Sequence, residues 1–81
     1  MKILIVDDHE VVRQGVSSLL RRDRNYQICG EAADGHDAIE QARRLQPQVI
    51  VMDISMPNLN GLEETRAIRS SVPDSEVLIM S

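Results

Sequence analysis

The sequence predicts an α/β protein on a parallel sheet, in the order βαβαβαβ, and three observations carry that reading. Three nearly unbroken runs of branched apolar residues, Ile3-Leu4-Ile5-Val6, Val49-Ile50-Val51-Met52 and Val77-Leu78-Ile79-Met80, have the composition of strands buried on both faces, which belong to parallel sheets. Segments with helical spacing separate the runs, as parallel strands require for their crossovers. With 81 residues the chain is expected to hold a single domain over residues 1–81, since a separate core needs most of about 50 residues.

In chain order, Ile3 to Val6 is the first strand. The first helix is expected from Glu10 to Arg22, with Val12, Val16, Leu19 and Leu20 as one buried stripe and Arg13, Gln14, Ser17 and Arg21 opposite. Tyr26 to Glu31 alternates apolar Tyr26 and Ile28 with Gln27 and Glu31, which predicts a half-exposed edge strand. Asp34 is placed as the N-cap of the second helix, with Asp37 three residues on; the helix presents Ala38, Ala42 and Leu45 and stops before Pro47. After the third strand, a helix from about Leu62 to Arg69 carries Glu63 and Glu64 in its first turn and Arg66 and Arg69 in its last, which suits the macrodipole. Right-handed crossovers that reverse direction once give the strand order 2-1-3-4, a flavodoxin-like sheet with helices on both faces, three layers in all.

Composition narrows the function. Hydrophobic residues at 42% and charged residues at 27% are the profile of a soluble globular chain. No apolar run approaches the roughly 18 residues that span a bilayer, and the N-terminus lacks the pattern of a signal peptide, so a cytoplasmic location without membrane contact is expected. Cys29 is the only cysteine, which excludes an internal disulfide and a multi-cysteine zinc site and leaves it as a small buried thiol. A net charge of −4 and one aromatic residue, Tyr26, argue against direct nucleic-acid binding by this chain.

In an open parallel sheet, ligands bind beyond the carboxyl ends of the strands where strand order reverses, here between the first and third strands. The first strand runs into Asp7 and Asp8, the third into Asp53 and the fourth into Ser81. One Asp after a strand is an ordinary helix cap, and Asp8 can serve as one. Three carboxylates together repel each other, however, and that costs stability unless a cation neutralises them. Carboxylates with no His or Cys beside them favour a hard ion, so Mg²⁺ is expected to fit better than zinc. No Gly-rich nucleotide loop is present, so the phosphate such a site handles is not expected to come from a nucleotide. His9 reads as a solvent-facing residue at the start of the first helix, His36 as an exposed first-turn residue, and Met52, Met56 and Met80 as packing.

The chain resembles the receiver domains of two-component response regulators, CheY-like in fold, through Lys2 to Asp8 (KILIVDD) and through Asp53-Ile54-Ser55-Met56-Pro57-Asn58-Leu59-Asn60-Gly61, the D-x-x-M-P-x-x-x-G segment. His9-Glu10, Gly30-Glu31-Ala32-Ala33-Asp34-Gly35 and Met80-Ser81 are similar to the NarL/FixJ subfamily. The resemblance implies that Asp53 is the phosphoacceptor, that Asp7, Asp8, Asp53 and the backbone carbonyl of Ser55 hold Mg²⁺, that Ser81 is the switch hydroxyl, and that a sensor histidine kinase donates the phosphate. It implies a signalling module, not an enzyme. A carboxylate attacking an anionic phosphoryl group needs a cation to offset the repulsion. Met56-Pro57 fixes a turn after the nucleophile, and Gly61 suits a tight approach or a positive φ before the third helix.

Against that family the chain is expected to lack the last helix-strand-helix, and with it the phosphate-binding lysine and the aromatic switch residue. The only lysine, Lys2, begins the first strand. Impaired phosphorylation follows, as does an unpaired fourth strand that favours a homodimer or higher oligomer, through that strand or through the sheet face with only one helix. The alternative is a self-associating structural remnant that does not accept phosphate. An acid-cluster Mg²⁺ phosphohydrolase would want an acid two residues after the nucleophile, where Ser55 stands.

Overall fold

A computed structural model describes residues 1–53 and 61–80. The elements are β1 (Lys2–Val6), α1 (Glu10–Leu20), β2 (Gln27–Ala32), α2 (Gly35–Leu45), β3 (Val49–Asp53), α3 (Gly61–Ser71) and β4 (Glu76–Met80). The strands are parallel and ordered β2-β1-β3-β4, the flavodoxin-like arrangement. Both central strands are apolar at nearly every position because each face meets a core.

One core lies between the sheet and α2 and α3, and is built from Leu4, Val6, Ile50, Met52 and Val77 of the sheet against Ala38, Ala42, Ile68 and Val72. The small alanines let α2 approach closely. The other core is thinner: Ile3, Ile5 and Val51 meet Val16 and Leu20 of α1, with Met80 at its margin.

That second face corrects the expected α1 stripe. Val16 and Leu20 pack on the sheet, but Val12 is 43% and Leu19 is 68% exposed. The helix packs over β1 and β2 and leaves the β4 side of this face thinly covered, so Val12 and Leu19, which flank its contact line, stay largely in water. It also ends at Leu20, two residues earlier than expected.

β2 is an edge strand, as its alternation predicts, with an irregularity that alternation does not show. Ile3 pairs with Ile28 and Leu4 with Gly30, so Cys29 is the extra residue of a bulge. Its Sγ donates to the Ile3 carbonyl at 3.4 Å, and burial pushes the half-buried thiol's pKa up. A Cβ on the next residue, Gly30, would lie 2.4 Å from Gln41 Oε1 and 3.0 Å from Leu45 Cδ1. These are side-chain ends, so a larger residue here would make Gln41 and Leu45 shift where α2 packs on the bulged strand.

α2 starts where the sequence places it. Asp34 is extended, and its side chain accepts from the Asp37 backbone N–H at 2.8 Å. The helix ends at Gln46 in the left-handed region, φ 49°, directly before Pro47. At the amino ends of the strands, Gln48 ties the sheet together: its N–H donates to Lys2 O and its carbonyl accepts from Glu76 N, each at 2.9 Å. Chemistry is thus left to the opposite, carboxyl edge.

Candidate functional site

Parallel register between β1 and β3 builds the site. Val6 pairs with Met52, so the next residues, Asp7 and Asp53, stand side by side at the carboxyl edge between the two central strands. Asp7 is fully buried and its backbone is held on two sides: its N–H donates to Ala32 O at 3.0 Å, and its carbonyl accepts from Arg13 Nη1 at 2.5 Å. Asp53 is buried as well, and Asp8 half-buried.

The Asp7 carboxylate is only half satisfied. Oδ1 accepts from the His9 backbone N–H at 2.8 Å and lies 3.0 Å from His9 Nδ1. Oδ2 is buried with no hydrogen-bond partner among the described residues, a costly state for a charged oxygen. Asp8 Oδ1 is in a similar position: His9 Nδ1 approaches to 2.8 Å, within ion-pair reach but without hydrogen-bond geometry. Crowded carboxylate oxygens suit a hard cation, and Asp7 and Asp8, each with a buried oxygen lacking a hydrogen bond, fit Mg²⁺ together with the adjacent Asp53 carboxylate.

His9 corrects the sequence reading. More than half of its side chain is exposed, yet Nδ1 faces the acids and comes within 4.0 Å of Asp53 Oδ2. His9 is the N-cap residue of α1, and its backbone bond to Asp7 Oδ1 turns the ring over the cluster. That contact with Asp7, followed by the Asp8 charge, raises the imidazole pKa above its usual 6.5. Arg13 was likewise read as an outward residue. Its guanidinium spans from Asp7 O to Glu31, 3.6 Å away, because i+4 spacing puts it on the same helix face as His9.

Asp7, His9 and Asp53 line a cleft of about 300 Å³ with Val12 of α1 and Met80 of β4. Sequence reasoning thus placed Asp7, Asp8 and Asp53 together and missed His9 and Arg13. A histidine directly after an acid pair at a strand end was the available signal. Ser55 and Ser81, as well as Met56 and Pro57, lie outside the described residues. Lys2 starts β1 at the opposite end of the sheet.

The sequence model described as the response regulator receiver domain matches residues 3–81. The chain belongs to this family. It is 41% identical to the response regulator GacA of Pseudomonas aeruginosa over 81 residues, all of this chain and 38% of that protein. To the transcriptional regulatory protein DegU of Brevibacillus brevis it is 38% identical, again over its whole length and 34% of that protein. These relatives are regulators of the NarL/FixJ type, and this receiver chain spans less than two-fifths of their length. Among solved structures it is similar to a LuxR-family two-component response regulator from Aurantimonas sp. SI85-9A1, with a TM-score of 0.88 and 38% identity over 96% of this chain and 56% of that one. The receiver domain of the NarL regulator from Mycobacterium tuberculosis gives a TM-score of 0.86 and 32% identity over 96% of this chain and 63% of the other.

Proposed function

We propose that these residues are the phosphoacceptor module of a two-component response regulator and that Asp53 takes a phosphoryl group from a histidine kinase. The observation that supports this most directly is the β1–β3 register, which sets Asp7 and Asp8 beside Asp53 while leaving a buried Asp7 oxygen without a donor. Family membership supports the same reading. An Asp53 carboxylate oxygen forms the new P–O bond as the P–N bond of the donor phosphoimidazole breaks, and the electron pair leaves with the donor nitrogen. Asp7, Asp8 and Asp53, with the Ser55 carbonyl, are the proposed ligands of Mg²⁺, which supplies charge neutralisation for two approaching anions. The β1–β3 pairing orients Asp53, and Arg13 fixes the backbone of Asp7. Ser81 is assigned the switch hydroxyl by resemblance.

The module is a signalling device of the cytoplasm in this reading. With a net charge of −4, these residues are a poor surface for DNA. The one lysine of these 81 residues stands at the far end of β1, so within them the charge beside Asp53 is to be offset by the bound cation.

Treatment with a small phosphoramidate and Mg²⁺ tests the assignment. Intact-mass measurement should show one base-labile phosphate on the wild-type chain and none on Asp53→Asn. Retention of the label by the variant would move the acceptor elsewhere.

A further inference from the structure

The acid cluster holds a nitrogen donor that phosphate acceptance does not use. His9 Nδ1 is 2.8 Å from Asp8 Oδ1, 3.0 Å from Asp7 Oδ1 and 4.0 Å from Asp53 Oδ2. One ligand atom from each of the four residues lies within 4.8 Å of the other three. Two donors on one ion at about 2.1 Å are at most about 4.2 Å apart, so a shared ion asks the quartet to contract by about half an ångström. The observation that points to a ligand is Asp7 Oδ2, buried and without a partner among the described residues.

We propose that His9 Nδ1 is a direct ligand of a divalent transition ion such as Zn²⁺, Co²⁺ or Ni²⁺, held together with the carboxylates of Asp7, Asp8 and Asp53, and that it adds to the affinity for these ions and not to that for Mg²⁺. This rests on the reading that the three acids form a cation site. An imidazole nitrogen suits Zn²⁺, Co²⁺ and Ni²⁺, whereas Mg²⁺ takes oxygen donors and keeps its waters, so the histidine discriminates between the two classes. The ring is already in place. The Asp7 Oδ1 bond to the His9 N–H sets its position before any metal arrives, and exposure of the rest of the ring leaves it free to adjust by the distance required.

Calorimetric titration of the 81-residue chain with ZnCl₂, NiCl₂ and MgCl₂, all at one buffered pH, tests the assignment. His9→Ala should lower Zn²⁺ and Ni²⁺ affinity by about tenfold or more and leave Mg²⁺ affinity within about twofold. His9→Asn, which keeps a good N-cap, should behave alike and guards against loss of the helix start. In NMR spectra, Zn²⁺ should shift the His9 ring nitrogen and Mg²⁺ should not, with His36→Ala removing the other imidazole. If both variants change all three affinities equally, or raise them, His9 is a counter-ion and the proposal fails. An unmoved His9 nitrogen in saturating Zn²⁺ also overturns it. Asp8→Asn separates the two layers: loss of Mg²⁺ binding in this variant with no His9 effect sinks the histidine alone, while unchanged Mg²⁺ binding sinks the acid site beneath it.

Discussion

At the scale of single residues, the three acids make the metal-free chain a compromise. His9 shares its Nδ1 between Asp7 and Asp8, and the pKa rise this produces has a defined sign. A raised folded-state value adds stability that is fully present below the unfolded value near 6.5 and is lost as pH climbs through the folded one. An NMR titration of the metal-free chain should therefore give His9 a midpoint above 6.5, and Asp8→Asn should lower it by removing the second-largest contribution. A midpoint that ignores Asp8 would contradict the geometry. Mg²⁺ should relieve the same crowding more completely: at about a hundred times its Kd, mass action adds about 2.7 kcal/mol, readable as a rise in Tm that Asp8→Asn diminishes. The acids were legible in the sequence because a parallel strand delivers its carboxyl-end residue to a fixed edge. His9 and Arg13 were not, since their placement depends on an Asp7 side-chain bond to the backbone and on the direction in which α1 leaves the strand.

Among the elements, legibility followed local chemistry. α2 was readable at both ends because its boundaries are set by neighbouring residues: the Asp34 cap satisfies the Asp37 N–H, and Pro47 stops the helix one residue after Gln46. Asp34→Ala should accordingly cost about 1 kcal/mol in chemical denaturation, with secondary structure otherwise retained. A cost near zero would mean that the first turn is held by tertiary packing instead, through Ala38 and Ala42. α1 was readable as a helix but not in its burial, because periodicity reports which residues share a face and not how much of the sheet lies beneath it. Val12 and Leu19 share the apolar side with Val16 and Leu20 and remain in water. The Cys29 bulge was invisible for a related reason: it is a property of the pairing with β1, where Leu4 skips to Gly30, and not of β2 alone.

For the whole molecule, the order β2-β1-β3-β4 was derivable from crossover handedness and one reversal, and it leaves β4 at an edge among the described residues. Val77 is buried toward α3, but Leu78 is 55% and Ile79 is 45% exposed, on opposite faces of the strand. On the α1 side, Leu78 continues an apolar margin with Met80 and the exposed Val12. An apolar edge strand with free backbone groups pairs readily with another chain, and at about 25 cal/mol per Å² a few hundred Å² of such surface amounts to several kcal/mol, comparable with the ~5 to 15 kcal/mol that stabilises an ordinary domain. The 81-residue chain is therefore expected to self-associate, most simply as a two-fold dimer with β4 antiparallel to its mate. Sedimentation across the micromolar range should show mass rising with concentration, and Leu78→Lys, a charge on the exposed side of the strand, should return it toward 9.1 kDa. Leu19→Lys on the exposed flank of α1 separates the two possible surfaces: if it dissociates the assembly and Leu78→Lys does not, the copies meet through the thinly covered sheet face. A cooperative monomer at every concentration would show that β4 protects its own edge, with the twist of the sheet and the alternation of Leu78 and Ile79 across it keeping either apolar patch too small to pair.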